Sequence, residues 1–336
     1  LTAEGGTRYN HQSTLARSKK ITGPYELHPD NPLISSWKNP NNPLQKAGHG
    51  SIVHTHTDEW FFVHLVGRPI FRNSEPILDD RGYCPLGRET AIQRVEWKND
   101  WPYIVGGNEP SLMIDGPKME EVPWERDEVE KDDFDQGVLN PHFQTLRIPL
   151  GKDILSLEDR PGHLRLYGRE SLTSKFIQSF VARRWQSFYF TAETKVDFRP
   201  NFFQQGAGLV NYYNTENWTI LQLTWDEKKG RILDLMASEN GVFDQPLCGQ
   251  EIIVPEDIEY VYMRVDVKKD VYQYSYSFNG KDWNVIPVIY ESYKLSDDYV
   301  RGGGFFTGAF VGLHCRDLTG QNLPADFDYF IYKEND

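Results

Sequence analysis

Apolar side chains at every second position, repeated through segment after segment, leave this chain few ways to fold. In QSFYFTAETKVDFRP, Phe188, Phe190, Ala192, Thr194, Val196 and Phe198 fall on one side. In EYVYMRVDVKKD, Val261, Met263, Val265 and Val267 do the same, as do Tyr272, Tyr274, Tyr276 and Phe278 in VYQYSYSFNGKDW. Successive side chains of a strand point to opposite faces, so a period of two describes strands with one face in a core and one in water. Such half-polar strands belong to antiparallel sheets. Asn279-Gly280, which follows the last run, predicts a tight hairpin, because both central residues of a type I′ turn need positive φ. From about Phe143 to Tyr332 these strands recur with almost no helical periodicity, which predicts a β-sandwich.

Residues 1–110 follow another plan, in which short aromatic strands end at small-residue turns. HGSIVHT, EWFFVHLVGRP, RETAIQRVEW and WPYIV are four such strands, enough for one blade of a β-propeller, and LTAEGGT with QSTLARSKKITGPYE reads as the back of another. Propellers close with four or more blades, so the pattern expects roughly 200 further residues ahead of Leu1, or a second chain, to complete the ring. Between the two regions MEEVPWERDEVEKDDFDQG is strongly acidic and contains few aliphatics, which reads as a solvated linker. The expected organisation is therefore all-β: incomplete propeller blades over 1–118, a linker over 119–137 and a sandwich over 138–336.

Charge narrows the partners. The 336 residues carry a formal net charge of −13, which disfavours a nucleic-acid partner, since that needs clustered Lys and Arg. A neutral substrate is not repelled. Cys84, Cys248 and Cys315 are odd in number and far apart, which fits neither a disulfide framework nor a zinc site. Free thiols point to a reducing compartment, and a bacterial cytoplasmic location is expected. No stretch approaches the ~20 apolar residues of a membrane span.

Few residues stand out as chemistry. His49 lies between Gly48 and Gly50 just ahead of a strand, where glycines let backbone or ligand come close; it reads as a ligand-binding residue or as an ordinary turn histidine. His54 and His56 share a strand face but are too few for zinc. Arg88 follows Gly87 and offers planar donors suited to paired hydroxyls or a carboxylate, or else a structural ion pair with Glu89 or a neighbour. In VRGGGFFTGAFVGLHCRD, Gly302 to Gly304 precede Phe305, Phe306 and Phe310, a loop that either feeds a buried strand or projects an aromatic ring onto a sugar. Asn217 begins an Asn-Trp-Thr tripeptide, which matches a glycosylation acceptor but is common by chance. No nucleophile elbow, phosphate loop or HExxH motif occurs, and Glu4 and Glu89 are carboxylates with no evident partner in the sequence.

LTAEGGTRYNHQSTLARSKKITGPYE, NPLQKAGHGSIVHT, EWFFVHLVGRP and CPLGRETAIQRVEW resemble the later part of the catalytic propeller of glycoside hydrolase family 43 β-xylosidases. DDFD, LNPHFQTLRIPL and RPGHLRLYGRESLTS resemble their linker and C-terminal sandwich. The resemblance implies a five-bladed propeller followed by a concanavalin-like sandwich. It implies an inverting exo-β-1,4-xylosidase that releases xylose from the non-reducing ends of xylo-oligosaccharides, often with α-L-arabinofuranosidase activity. It also implies a homo-oligomer with no required cofactor. Arg88 matches the arginine that reaches the xylose, and His49 the histidine below the pocket, which in some members helps hold calcium through water. Phe310 matches a sandwich phenylalanine that closes the pocket wall, and Thr7 a residue at its edge. The family's base Asp, tuning Asp and acid Glu match no position here, and Glu4 corresponds to a different one. The isolated chain is accordingly expected to be inactive, and a non-catalytic carbohydrate-binding or assembly fragment is the competing reading.

Overall fold

The computed structural model describes residues 1–6, 8–71, 81–118, 130–301 and 307–335. Strands make up its regular structure; the one helical element among the described residues is a 3-10 turn at Ser292–Lys294. Two compact units result, Leu1–Asp127 with Ser296–Thr307, and Glu128–Leu295 with Gly308–Asp336.

The first unit holds β1 (Thr2–Glu4), β2 (Gln12–Thr14) and β3 (Ile34–Ser35) in one antiparallel sheet. β4 (Gln45–His54), β5 (Trp60–Gly67), β6 (Glu89–Lys98) and β7 (Trp101–Ile104) form a second, four strands in sequence order, which is a propeller blade. Leu33, Ile34, Leu44, Ala47, Phe62 and Val66 make its apolar core.

The second unit is a concanavalin A-like sandwich. Its seven-stranded sheet contains β8 (Ser179–Arg184), β9 (Gln205–Asn214), β10 (Asn217–Asp226), β11 (Gly230–Glu239) and β12 (Phe310–Asp317). Across from it, an eight-stranded sheet is built around Tyr189–Asp197, Val261–Lys268, Val271–Ser277 and Pro324–Glu334. The alternation seen in the sequence is the alternation of burial: Phe190, Ala192, Thr194, Val196, Val261, Met263 and Val265 are each 0% exposed. Inside, Asn211 Nδ2 donates to the Tyr274 hydroxyl at 3.0 Å, and the Thr219 and Tyr274 hydroxyls lie 3.0 Å apart.

Two expectations meet a different arrangement. Asn279-Gly280 is not a two-residue turn: six residues separate Val271–Ser277 from Asn284–Glu291, and of the pair only Gly280 takes positive φ, +71°. The cause is the Asn279 carboxamide, whose Oδ1 accepts from the amides of Lys281 and Asp282, a side-chain turn that keeps Asn279 itself out of the left-handed region. The expected linker over 119–137 lies partly outside the described residues, but Lys131–Asp132 already pairs with Pro324–Glu334, and Phe134, 1% exposed, anchors this stretch in the sandwich. Asn217 is buried, with its amide donating to Asn214 Oδ1 at 3.0 Å, so the glycosylation tripeptide is part of a strand.

Phe190 lies between Trp185, edge-on at 5.2 Å, and Tyr332, stacked at 4.6 Å. Phe190→Ala is expected to cost the sandwich about 3–5 kcal/mol, as large cavities do. The check is a fall in its urea midpoint at unchanged slope.

Candidate functional site

β4 is irregular in a way that places side chains. Against β5, Gln45 pairs with Gly67, Gly48 with Leu65 and Ser51 with Val63, so β4 carries one extra residue in each interval. These are two β-bulges in succession, and bulges re-aim the residue they contain. Lys46 has φ +55° and His49 φ +48°, one in each bulge. Glycine is required beside them, since a Cβ on Gly48 would stand 2.5 Å from His11 Cδ2 and one on Gly50 2.5 Å from Phe62 Cζ.

Lys46 turns into the unit. Its Nζ lies 2.5 Å from Asp298 Oδ1 and 4.9 Å from the centre of the Tyr9 ring. The second carboxylate oxygen, Asp298 Oδ2, accepts from the Cys84 amide at 2.9 Å, and the Tyr9 hydroxyl donates to the Gly82 carbonyl at 2.6 Å. Both side chains of the ion pair are nearly enclosed, 7% and 10% exposed. Burial works against the ammonium, but the neighbouring Cys84 and Asp298 outweigh it and hold the Lys46 pKa above 10.5. Burial pushes the Cys84 thiol up to about 12. Beside this pair Arg81 stacks over Trp37 at 4.3 Å and donates to Gln45 Oε1 at 3.2 Å. Asp298 belongs to Ser296–Thr307, a segment that packs with this unit although sandwich strands flank it in sequence; Gly308, at φ +80°, marks the return to the sandwich.

His49 turns outward and is exposed, its ring centroid 6.4 Å from that of buried His11. Neither ring nitrogen of His11 has a partner at hydrogen-bond distance among the described residues. Burial lowers its pKa, a contact with the Glu4 backbone opposes this, and the charges of His49, Lys46 and Arg88 lower it further. These four side chains lie close enough for the charges of the other three to act on His11. Arg88 is exposed, at the entry to β6.

The carboxylates of this unit that the sequence brought forward are engaged elsewhere. Glu4 accepts from Gln12 and Thr14. Glu89 pairs with Arg68 at 2.6 Å. His54 is engaged too: its Nε2 lies 2.8 Å from Asp58 Oδ1, and its ring stacks on Trp60. Among the described residues no group of three or more His, Cys, Asp or Glu gathers as metal ligands. Thr7 and the Gly302–Phe306 run lie outside the described residues. Phe310 opens β12 in the sandwich, half-buried, opposite Tyr212 and Arg184, with the Arg184 guanidinium 5.9 Å from its ring centre. Sequence reading singled out His49 and Arg88 but not His11, Lys46 or Asp298. The glycines around His49 were the available signal; Asp298 is 252 residues from Lys46 and carried none.

Two family models match the chain: Beta xylosidase C-terminal Concanavalin A-like domain over residues 131–333, and Glycosyl hydrolases family 43 over residues 1–102. It is similar to a protein named Beta-xylosidase from Bacillus subtilis (strain 168), 60% identical over 334 residues, and to a Putative beta-xylosidase from Escherichia coli (strain K12), 52% identical over 335. Each alignment covers 99% of this chain and 62% of the relative. The crystal structure of a xylan beta-1,4-xylosidase from Bacillus halodurans C-125 superposes with a TM-score of 0.92 at 45% identity, again over 99% of this chain and 62% of the other. The chain thus spans less than two thirds of the length of these relatives.

Removing one partner of a buried ion pair leaves the other charge stranded. Asp298→Asn is expected to cost the first unit about 3–5 kcal/mol, and Lys46→Met with Asp298→Leu to recover most of it. Because the Lys46 pKa is raised, its contribution is complete below pH 10.5 and is lost as pH rises through the raised value. Thermal melts of the unit across pH 7–12, with and without Asp298→Asn, test both statements.

Proposed function

Because the chain belongs to glycosyl hydrolase family 43, we propose that it supplies propeller blades and the sandwich of an inverting exo-β-1,4-xylosidase, which releases xylose from the non-reducing ends of xylo-oligosaccharides. The observation that carries this reading is the cluster of His11, Lys46, His49 and Arg88, in which two bulges of one blade strand turn Lys46 inward and His49 outward. Inversion needs two carboxyls about 6.5–9.5 Å apart, one as the base that activates a water on one face of the sugar and one as the acid that protonates the leaving-group oxygen on the other. Nearby cations favour the ionised form of a carboxylate, which suits the base. Arg88, exposed beside the cluster, has the planar donors to hold a xylose hydroxyl and a carboxylate at once. His49 sits below the sugar. Thr7 and Phe310 keep the substrate-contact roles given them by the resemblance.

In this reading the base, the tuning Asp and the acid come from outside the present sequence, since Glu4, Asp58 and Glu89 are engaged with other groups. α-L-Arabinofuranosides are a second substrate class of the same proposal, and further copies of the chain its expected partners. Calcium takes six to eight oxygen ligands. The described residues offer His49 and no carboxylate cluster, which does not fit a protein-held ion, and no step depends on one.

Two measurements bear on this. The 336-residue chain alone is expected to show no turnover of an aryl β-xyloside above background, because acid and base catalysis contribute ~10²–10⁴-fold each. Robust turnover would contradict the assignment, whereas binding without turnover in the complete protein would favour the non-catalytic reading. In the complete enzyme Arg88→Lys keeps the charge but loses the fork. A fall in kcat/KM of at least ~2 kcal/mol is expected, and unchanged kinetics would make Arg88 structural.

A further inference from the structure

The sandwich carries a polar pocket that the hydrolase reading does not use. β8, β12, β9, β10 and β11 lie side by side, and their register sets Phe180, His314, Gly208, Gln222 and Asp234 directly across from one another. Two residues along, Arg316 lies opposite Gly206. This face of the sheet is turned away from the sandwich core, because Asn211 and Thr219, on the other face, bond to Tyr274 of the opposing sheet.

β9 contributes glycine at both places, and the reason is close approach. A Cβ on Gly206 would stand 2.5 Å from Gln222 Oε1 and 2.9 Å from Arg316 Nε. The long polar side chains of the flanking strands thus lie over bare backbone. Two cavities adjoin there, about 220 Å³ beside Ser171–Thr173 and about 640 Å³ beside Asp234, and Met236 and Arg316 line both. The larger falls in the size range of small-molecule sites.

The protein satisfies the polar groups of this trough only in part: Gln222 Nε2 donates to Met236 Sδ at 2.8 Å, Gln245 Nε2 to Asp234 Oδ2 at 3.3 Å and Arg316 Nη2 to the Phe203 carbonyl at 3.4 Å. His314 is 1% exposed, and neither of its ring nitrogens has a partner among the described residues; Arg316 Nε is buried and likewise unbonded. Buried polar atoms are nearly always hydrogen-bonded, so several without partners at the wall of one cavity mark a surface shaped to meet something polar. Burial, reinforced by Arg316 and opposed by a contact with the Glu170 backbone, brings the His314 pKa down to about 3, so the ring is neutral. A neutral imidazole, an amide, a guanidinium and a carboxyl side by side offer both donors and acceptors, with opposite charges that offset. Trp218 and the exposed ring of Phe243, 6.0 Å apart, form an apolar flank. Mixed donors and acceptors beside an aromatic face suit a ring bearing hydroxyls, whose C–H face is apolar.

We propose that this trough is a carbohydrate-binding site, taking one pyranose of a neutral oligosaccharide. It goes beyond the hydrolase reading, since it asks for binding without turnover.

Calorimetric titration of the 336-residue chain with xylotetraose tests it. Saturable binding is expected, weakened at least tenfold by Arg316→Leu. Thr173→Trp, in the loop beside the smaller cavity, should have the same effect while leaving the sheet untouched, and unchanged near-UV circular dichroism identifies a folded variant. Binding that survives Thr173→Trp and a folded Arg316→Leu would overturn the proposal, as would the absence of saturable binding by the unaltered chain. Turnover is not read, so loss of the hydrolase assignment would leave this result standing.

Discussion

The first unit depends on a buried charge pair, Lys46 with Asp298. Taking two charges out of water costs several kcal/mol each, and their attraction offsets this only with good geometry and further hydrogen bonds. Here both conditions are met: Nζ and Oδ1 lie 2.5 Å apart, the Cys84 amide donates to Oδ2, and the Tyr9 ring lies beside the ammonium. The same bulged strand that turns Lys46 inward turns His49 outward three residues later. The inward ion pair and the outward turn of His49 therefore both follow from the bulges of one strand.

The sandwich is stabilised on other terms. Apolar side chains at 0% exposure line the facing sheets, and the polar groups between them, Asn211, Thr219 and Tyr274, bond to one another. Its outer face departs from that economy. Glycines in β9 forgo packing, and the ring nitrogens of His314 and Arg316 Nε are buried without hydrogen-bond partners among the described residues.

Much of the fold was legible because a period of two maps directly onto burial: Phe190, Val196, Met263 and Val265 are all in the core. The blade was legible for the same reason, as four short strands in sequence order. The turn at Asn279-Gly280 was not, because the Asn279 side chain supplies the bonds that a tight turn would take from the backbone. At the site, His49 announced itself through its flanking glycines, each of which lies where a Cβ would clash. Lys46 did not, since a bulge reverses the face a residue points to without changing composition. Glu89 next to Arg88 invited a local pairing, and the sequence did not announce its pairing with Arg68, from the end of the neighbouring strand. Asp298 lies in a stretch bounded by sandwich strands, and only three-dimensional packing shows that it belongs to the other unit.

That last point is the centre of the account, and native-state hydrogen exchange tests it most directly. Amides that open together do so with one free energy. The Cys84 amide, bonded to Asp298, should exchange with the same protection as core amides of the first unit such as Phe62, and Asp298→Asn should lower both together while leaving the sandwich amide of Leu209 unchanged. If instead Cys84 alone loses protection, or the sandwich amides fall with it, the segment around Asp298 is not part of the first unit's cooperative fold.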